Sequence, residues 1–282
     1  MLERFGPLLA RGPVGAFACY DLAMAEGVLR AAGRGRVVVL VAGTALRAPG
    51  AEGLVAALRG VAQVARARVS LQADHVHDLE TVELALELGV QAVMADFSRL
   101  PLEGNVAFTR EAVALAREFG AAVEGELGRL AGGVDADAPQ GAEARTDPGE
   151  AAAFVAATGV DCLAVAVGNV HGALLPAPRA LDWPRLAEIR RAVDVPLALH
   201  GGTGLDGAVV RRALREGIAK VNVNTALRGA YLAATAAGVA ELGAAGDLVA
   251  LHARQVRAVE VVARSTLEEV GLAENSDLVG RL

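Results

Sequence analysis

Eight short apolar runs recur along the chain: "GAFACY" (15–20), "VVVLVAG" (37–43), "VSLQAD" (69–74), "AVMAD" (92–96), "AAVEGELG" (121–128), "CLAVAVGN" (162–169), "PLALHGG" (196–202) and "KVNVNT" (220–225). Most are continuous rather than alternating, the pattern of parallel strands covered on both faces. Between them lie stretches with helical periodicity, among them "DLETVELALELG", "EGNVAFTREAVALAREFG", "DPGEAAAFVAATG", "LDWPRLAEIRRAV" and "DGAVVRRALREG". Several open on Asp and close on Gly, the start and stop signals of helices. Eight alternating strand and helix units specify a (β/α)8 TIM barrel better than an open sheet, and two or three extra helices complete the C-terminal part. The length of 282 residues suits one such barrel, which needs ~250 residues. With no internal repeat and no linker, residues 1–282 are expected to form a single domain. The stretch 129–146, "RLAGGVDADAPQGAEART", carries no periodic pattern and reads as a long functional loop.

Composition narrows the function classes. Hydrophobic residues make up 54% and aromatics only 3%, so the core must be built from Ala, Val and Leu. A net charge of −6 with scattered basic residues marks no nucleic-acid or anionic-membrane surface. No leader pattern and no unbroken apolar span of membrane length are found, and Cys19 and Cys162 lie in apolar runs as free buried thiols. A cytoplasmic location is the expectation.

In a (β/α)8 barrel the chemistry belongs at the C-terminal ends of the strands. Asp74, His75, Glu126, His171, His200, Asn222 and Asn224 all fall there. The chain has five His, and His75, His171 and His200 close three different strands. Three neutral imidazoles plus an open position make a catalytic zinc site. His77 competes with His75 but lies beyond the strand, and His252 belongs to a C-terminal helix. "HGGTG" (200–204) runs off the seventh strand into a helix near Asp206, and with Thr225 ending the eighth strand it reads as a phosphate seat. Lys220 is the single lysine of the chain and opens the eighth strand, the wrong end for imine chemistry.

"ADH" (73–75), "VEGELGRLAGGVD" (123–135), "TDPGEAAAFVAATGVDCLAVAVGNVHGA" (146–173), "LALHGGTG" (197–204) and "GIAKVNVNTALR" (217–228) together resemble the class II, zinc-dependent ketose-bisphosphate aldolases, over most of residues 13–270. The resemblance implies reversible cleavage of a ketose 1-phosphate or bisphosphate, of the fructose- or tagatose-1,6-bisphosphate type, to dihydroxyacetone phosphate and an aldehyde through a zinc-stabilised enediolate. It implies one catalytic zinc, another divalent ion or an added monovalent cation being alternatives, held by His75, His171 and His200 with Glu126 as an alternate ligand. Asp74 matches the family's acid/base, Asn222 its enediolate contact, and Asp135 is the nearest match to the carboxylate that moves the C3 proton. Gly172, Gly201, Gly202, Thr203, Asn224 and Thr225 match the donor-phosphate positions. A homodimer or homotetramer is implied, with no nucleic-acid or membrane partner.

Several positions depart from the family pattern. Ala18 and Gln72 replace an Asn and a His, Phe97 and Arg99 stand in a segment that usually reads "DGSH", and Leu175 replaces a phosphate-binding lysine. These departures motivate a second reading, a catalytically weak homologue serving as a structural or regulatory subunit.

Overall fold

In a computed structural model, residues 1–129, 144–170, 180–242 and 246–273 are described. Eight parallel strands close into a barrel in chain order: β1 (Val14–Ala18), β2 (Arg36–Ala42), β3 (Arg68–Val76), β4 (Ala92–Ala95), β5 (Ala122–Leu127), β6 (Cys162–Val165), β7 (Leu197–Leu199) and β8 (Ile218–Val223). Helix α1 (Phe5–Ala10) precedes the barrel. Around it run α2 (Leu22–Ala32), the short α3 (Gly43–Leu46), α4 (Ala51–Val64), α5 (Leu79–Glu87), α6 (Leu102–Glu118), α7 (Pro148–Thr158), α8 (Trp183–Ala192) and α9 (Gly207–Arg215). Helices α10 (Thr225–Leu242) and α11 (Leu248–Glu269) follow as the expected C-terminal additions. No described helix is long and apolar enough to cross a membrane.

The Asp residues that open helical patterns act as caps. Asp21, Asp78, Asp147, Asp182, Asp206 and Asp247 each accept a backbone N–H from the first turn of the helix that follows. Each such cap stabilises its helix by about 1 kcal/mol.

The continuous apolar strands serve two cores. Val37, Val39 and Val41 of β2 join the outer core between strands and helices, while Val38 and Leu40 face inward with Ala16, Ala18, Ala92, Met94, Ala164 and Ala198. Phe5, Leu8 and Leu9 of α1 belong to the inward cluster, beside the first residues of β1, β4 and β6. The barrel interior is therefore closed on the side where the strands begin.

Three strands are shorter or displaced relative to the sequence reading, for local reasons. Beyond Val165 the chain turns at Gly168, and Asn169 Oδ1 accepts from the Val167 amide at 2.8 Å. β7 stops before His200, because Gly201 adopts a left-handed φ of 73°. Thr225, expected to end the eighth strand, is instead the first residue of α10.

Candidate functional site

The C-terminal end of β3 is built around a bulge. Pairing with β4 shifts between Ala73 and Val76, and His75 holds a left-handed φ of 50°. Ala73 and Val76 both join the outer core, so the extra residue lets Asp74 and His75 turn consecutively to the barrel mouth. A non-glycine residue in this region costs about 1–3 kcal/mol and persists only where its surroundings enforce it. Gly43 contributes to that enforcement: a Cβ there would fall 2.6 Å from the His75 carbonyl oxygen.

Two histidines meet across the mouth. His75 Nδ1 lies 2.8 Å from Asp96 Oδ2, and His200 Nε2 lies 2.8 Å from Glu124 Oε1. Each carboxylate accepts a hydrogen bond from the ring nitrogen it faces, which makes the opposite nitrogen an acceptor whenever the ring is neutral. Those two acceptors, His75 Nε2 and His200 Nδ1, are 3.2 Å apart. Two nitrogens at the zinc–nitrogen distance on a tetrahedral ion would be separated by about 3.3 Å. Burial works against charge on His75, but Asp74, Asp96 and Glu126 outweigh it and raise its pKa to about 10. In metal-free protein His75 Nε2 therefore carries a proton toward His200, and a divalent cation would displace it. Burial dominates at His200 and lowers its pKa, keeping that ring neutral.

The carboxylates divide into two kinds. Burial alone would raise Asp96 and Glu124, yet both are held well below the usual range, Asp96 by His75 and Glu124 by Lys220 and His200. Asp96 Oδ1 also accepts from the Ser98 hydroxyl at 2.7 Å. Glu126 differs: burial, with Asp96 beside it, pushes its carboxyl well above the ordinary value. Its Oε2, 3.7 Å from His75 Nδ1, is buried without a hydrogen-bond partner. An orphaned carboxyl oxygen beside the His75 ring suits a divalent cation, which would favour its ionised form. Asp74, His75 and His200, and likewise His75, Asp96 and Glu126, bring ligand atoms within 4.8 Å of one another.

Beside the histidines, Asn222 Nδ2 donates to Asp74 Oδ1 at 3.2 Å and lies 3.3 Å from His200 Nδ1. Asp74 and Asn222 are almost fully buried, at 5% and 6% exposure, so they act in an environment of low dielectric. On the neighbouring arc, Gly202–Gly204 form a short 3-10 turn against β8. A Cβ on Gly201 would strike the Val170 carbonyl, and one on Gly202 would lie 2.8 Å from the Asn222 carbonyl oxygen. Thr203 rides on this turn, and Asn224 and Thr225 lie where β8 passes into α10.

The structure thus brings together Asp74, His75, Glu126, His200 and Asn222. His171, Gly172, Asp135 and Leu175 lie outside the described residues. His77 is turned to another group: its Nδ1 faces the Asp96 carbonyl at 2.9 Å and its ring centroid is 6.4 Å from that of His75. The reading of Lys220 needs correction, since it is not remote from the chemistry. It is the third residue of β8, opposite Ala198 and two positions before the level of His200, and it is fully buried against Glu124 at 2.8 Å. Phe97 also departs from expectation, because it joins the outer core and stacks on Phe108 of α6 with centroids 5.3 Å apart. Arg99 is exposed, whereas Ala18 and Gln72 do line the interior.

Sequence reasoning missed Gln72, Asp96, Glu124 and Lys220 as a supporting layer. Gln72 Nε2 donates to Glu124 Oε2 at 2.9 Å, so three donors saturate the carboxylate that orients His200. A signal existed for three of them. Gln72 with Asp74, Glu124 with Glu126, and Lys220 with Asn222 are spaced by two, so each pair shares the inward face of its strand.

A closed parallel barrel with histidines and carboxylates gathered at the strand C-termini defines a (β/α)8 barrel with a candidate metal centre in the position where this fold builds active sites. The sequence model of the family described as fructose-bisphosphate aldolase class-II matches residues 10–275, and the chain belongs to that family. A solved structure described as a fructose-1,6-biphosphate aldolase from Coccidioides immitis is similar at 30% identity and a TM-score of 0.89, over 96% of this chain and 97% of that one. The YdjI aldolase from Escherichia coli K12 is similar at 28% identity and a TM-score of 0.83, over 98% and 100%. Fructose-bisphosphate aldolase (Fba) from Campylobacter jejuni shares the fold at 17% identity and a TM-score of 0.78, over 98% and 97%.

Proposed function

We propose that this protein is a metal-dependent aldolase that reversibly cleaves a ketose 1-phosphate or ketose bisphosphate to dihydroxyacetone phosphate and an aldehyde. The observation that carries the reading is the pair of acceptor nitrogens on His75 and His200, 3.2 Å apart, with Asp74 and Asn222 beside them. His75 and His200, with His171 from outside the described residues, would hold zinc, and Glu126 offers a further carboxylate. A divalent ion there supplies Lewis-acid polarisation of the substrate's C2 carbonyl.

The residues of the chain supply the rest. Asp74 takes the C4 hydroxyl proton in cleavage and returns it to the aldehyde oxygen in synthesis. Asn222 holds Asp74 through Nδ2 and offers the same amide to the enediolate oxygen. Asp135 is assigned to the C3 proton. The turn at Gly201, Gly202 and Thr203, with Asn224 and Thr225 at the start of α10 and Gly172 from outside the described residues, seats the donor phosphate at a helix N-terminus. Glu124, Gln72, Lys220 and Asp96 position the two histidines. Phe97, one motive for the weak-homologue reading, points away from the mouth and gives that reading no support.

We further infer a single domain and a homo-oligomer, the latter from the family resemblance. The exposed Leu232 and Val239 on α10 fit a subunit contact, and sedimentation tests it.

Release of dihydroxyacetone phosphate from fructose-1,6-bisphosphate, tagatose-1,6-bisphosphate and a panel of ketose 1-phosphates, read by a coupled reductase, tests the activity. Chelator-sensitive release from at least one compound is expected. No release from any of them by metal-loaded protein would contradict the assignment.

A further inference from the structure

The Asn224 carboxamide, at the edge of the proposed phosphate seat, leaves its oxygen unsatisfied. Its Nδ2 donates to the Tyr20 hydroxyl at 3.0 Å, while its Oδ1 is buried without a partner. Asn224 immediately precedes α10, whose 18 residues leave the first-turn N–H groups and the positive end of the helix dipole at the same place. An anion bound there gains from an N–H donor and not from an amide oxygen, because two oxygens with no proton between them repel.

Tyr20 can resolve the conflict. β1 and β8 are paired with Phe17 opposite Val223, so Tyr20 and Asn224 leave the barrel side by side. A phenol hydroxyl both accepts and donates. If the carboxamide turns over, Oδ1 accepts from Tyr20 and Nδ2 points into the seat, with the contact to Tyr20 kept in either state. The backbone at Tyr20 is held by its neighbour Asp21, which caps α2 through the Met24 amide and accepts from the Tyr231 hydroxyl at 2.5 Å. Gln255 of α11 in turn donates to Tyr231 at 3.2 Å.

We propose that Tyr20 is a positioning residue for the donor phosphate: it anchors Asn224 in both amide orientations, so that an NH2 group faces the anion when phosphate is bound. This rests on the aldolase reading of the seat. Tyr20 acts through Asn224 in this account, so its effect is confined to binding of the phosphorylated donor.

The test compares Tyr20→Phe with wild type for binding of inorganic phosphate and dihydroxyacetone phosphate by calorimetry, and for C3 proton exchange of dihydroxyacetone with and without its phosphate. Tyr20→Phe is expected to weaken both phosphate ligands about tenfold, the effect of one lost hydrogen bond. Metal content, the exchange rate at saturating donor and exchange of unphosphorylated dihydroxyacetone should be unchanged. Tyr231→Phe, which removes the contacts to Asp21 and Gln255 but leaves the Asp21 cap on Met24, should lower Tm and leave phosphate affinity alone. Adding Tyr20→Phe to Asn224→Ala should have no further effect, because the two residues act through one contact. Equal phosphate affinity in Tyr20→Phe and wild type, or an equal loss with unphosphorylated dihydroxyacetone, would overturn the proposal while leaving the aldolase reading intact. Wild-type protein that binds neither phosphate ligand would overturn both.

Discussion

The Lys220 ammonium lies 2.8 Å from Glu124 Oε2 in the barrel interior, and the other oxygen of that carboxylate faces His200 Nε2 at 2.8 Å. A fully buried ion pair therefore stands beneath the candidate metal centre and fixes one ligand's tautomer. Glu124→Gln should weaken zinc affinity 10- to 100-fold, roughly the range for residues that orient a ligand. Lys220→Met leaves Glu124 charged and unpaired and should destabilise the fold by about 3–5 kcal/mol. The pH dependence has a definite sign. Glu124 is depressed in the folded state, so its contribution is complete above the unfolded glutamate pKa of about 4.3 and is lost as pH falls below it. Urea unfolding of metal-free protein should show the gap between wild type and Glu124→Gln narrowing below that pH.

His75 and His77 separate the metal site from its surroundings. His75→Ala should abolish stoichiometric zinc binding. His77→Ala removes a contact to the Asp96 carbonyl and a longer one, 3.6 Å, to its carboxylate, and should keep affinity within about threefold, since one such hydrogen bond contributes ~0.5–1.5 kcal/mol and acts on the metal indirectly. Metal titration of both variants checks this, and loss of zinc in His77→Ala with retention in His75→Ala would reverse the assignment.

Asp74 is assigned to the C4 oxygen, not to C3. Asp74→Asn should lower cleavage about 10²- to 10⁴-fold, the usual contribution of a general acid–base group. Exchange of the C3 proton of dihydroxyacetone phosphate should persist in the variant. If cleavage and exchange fall together, Asp74 does not have the separate role given to it.

Phe97 stacks on Phe108 and is 5% exposed, away from the barrel mouth. Phe97→Ala should cost about 3–5 kcal/mol of stability. The KM for the phosphorylated substrate should stay within about twofold of wild type, because no transition-state or ground-state contact is removed. A large KM change without a fall in Tm would place Phe97 in the substrate pocket after all.

The barrel was legible in the sequence because its strands are buried on both faces and six of its helices open on a capping Asp; both signals are local. The rim residues Asp74, His75, Glu126, His200 and Asn222 were legible because they close strands. What was not legible has physical causes. The bulge at His75 has no glycine or proline to announce it, and it is imposed by pairing with β4 and by the close passage of Gly43. Phe97 follows Asp96 directly, so position along the chain suggested the mouth while packing took the ring outward to α6. Lys220, Gln72 and Glu124 were read by distance along the strand rather than by face. Their spacing of two from known rim residues placed them inside the barrel, one level down.

The central claim is that this rim forms an enediolate with the help of a metal. Proton NMR of dihydroxyacetone phosphate in heavy water, with metal-loaded protein and no aldehyde, tests it without knowledge of the second substrate. The account predicts replacement of one of the two C3 protons by deuterium, halving their signal, with the exchange abolished by a chelator and restored by zinc. A C3 signal that stays at full intensity in the presence of fully loaded protein would contradict it.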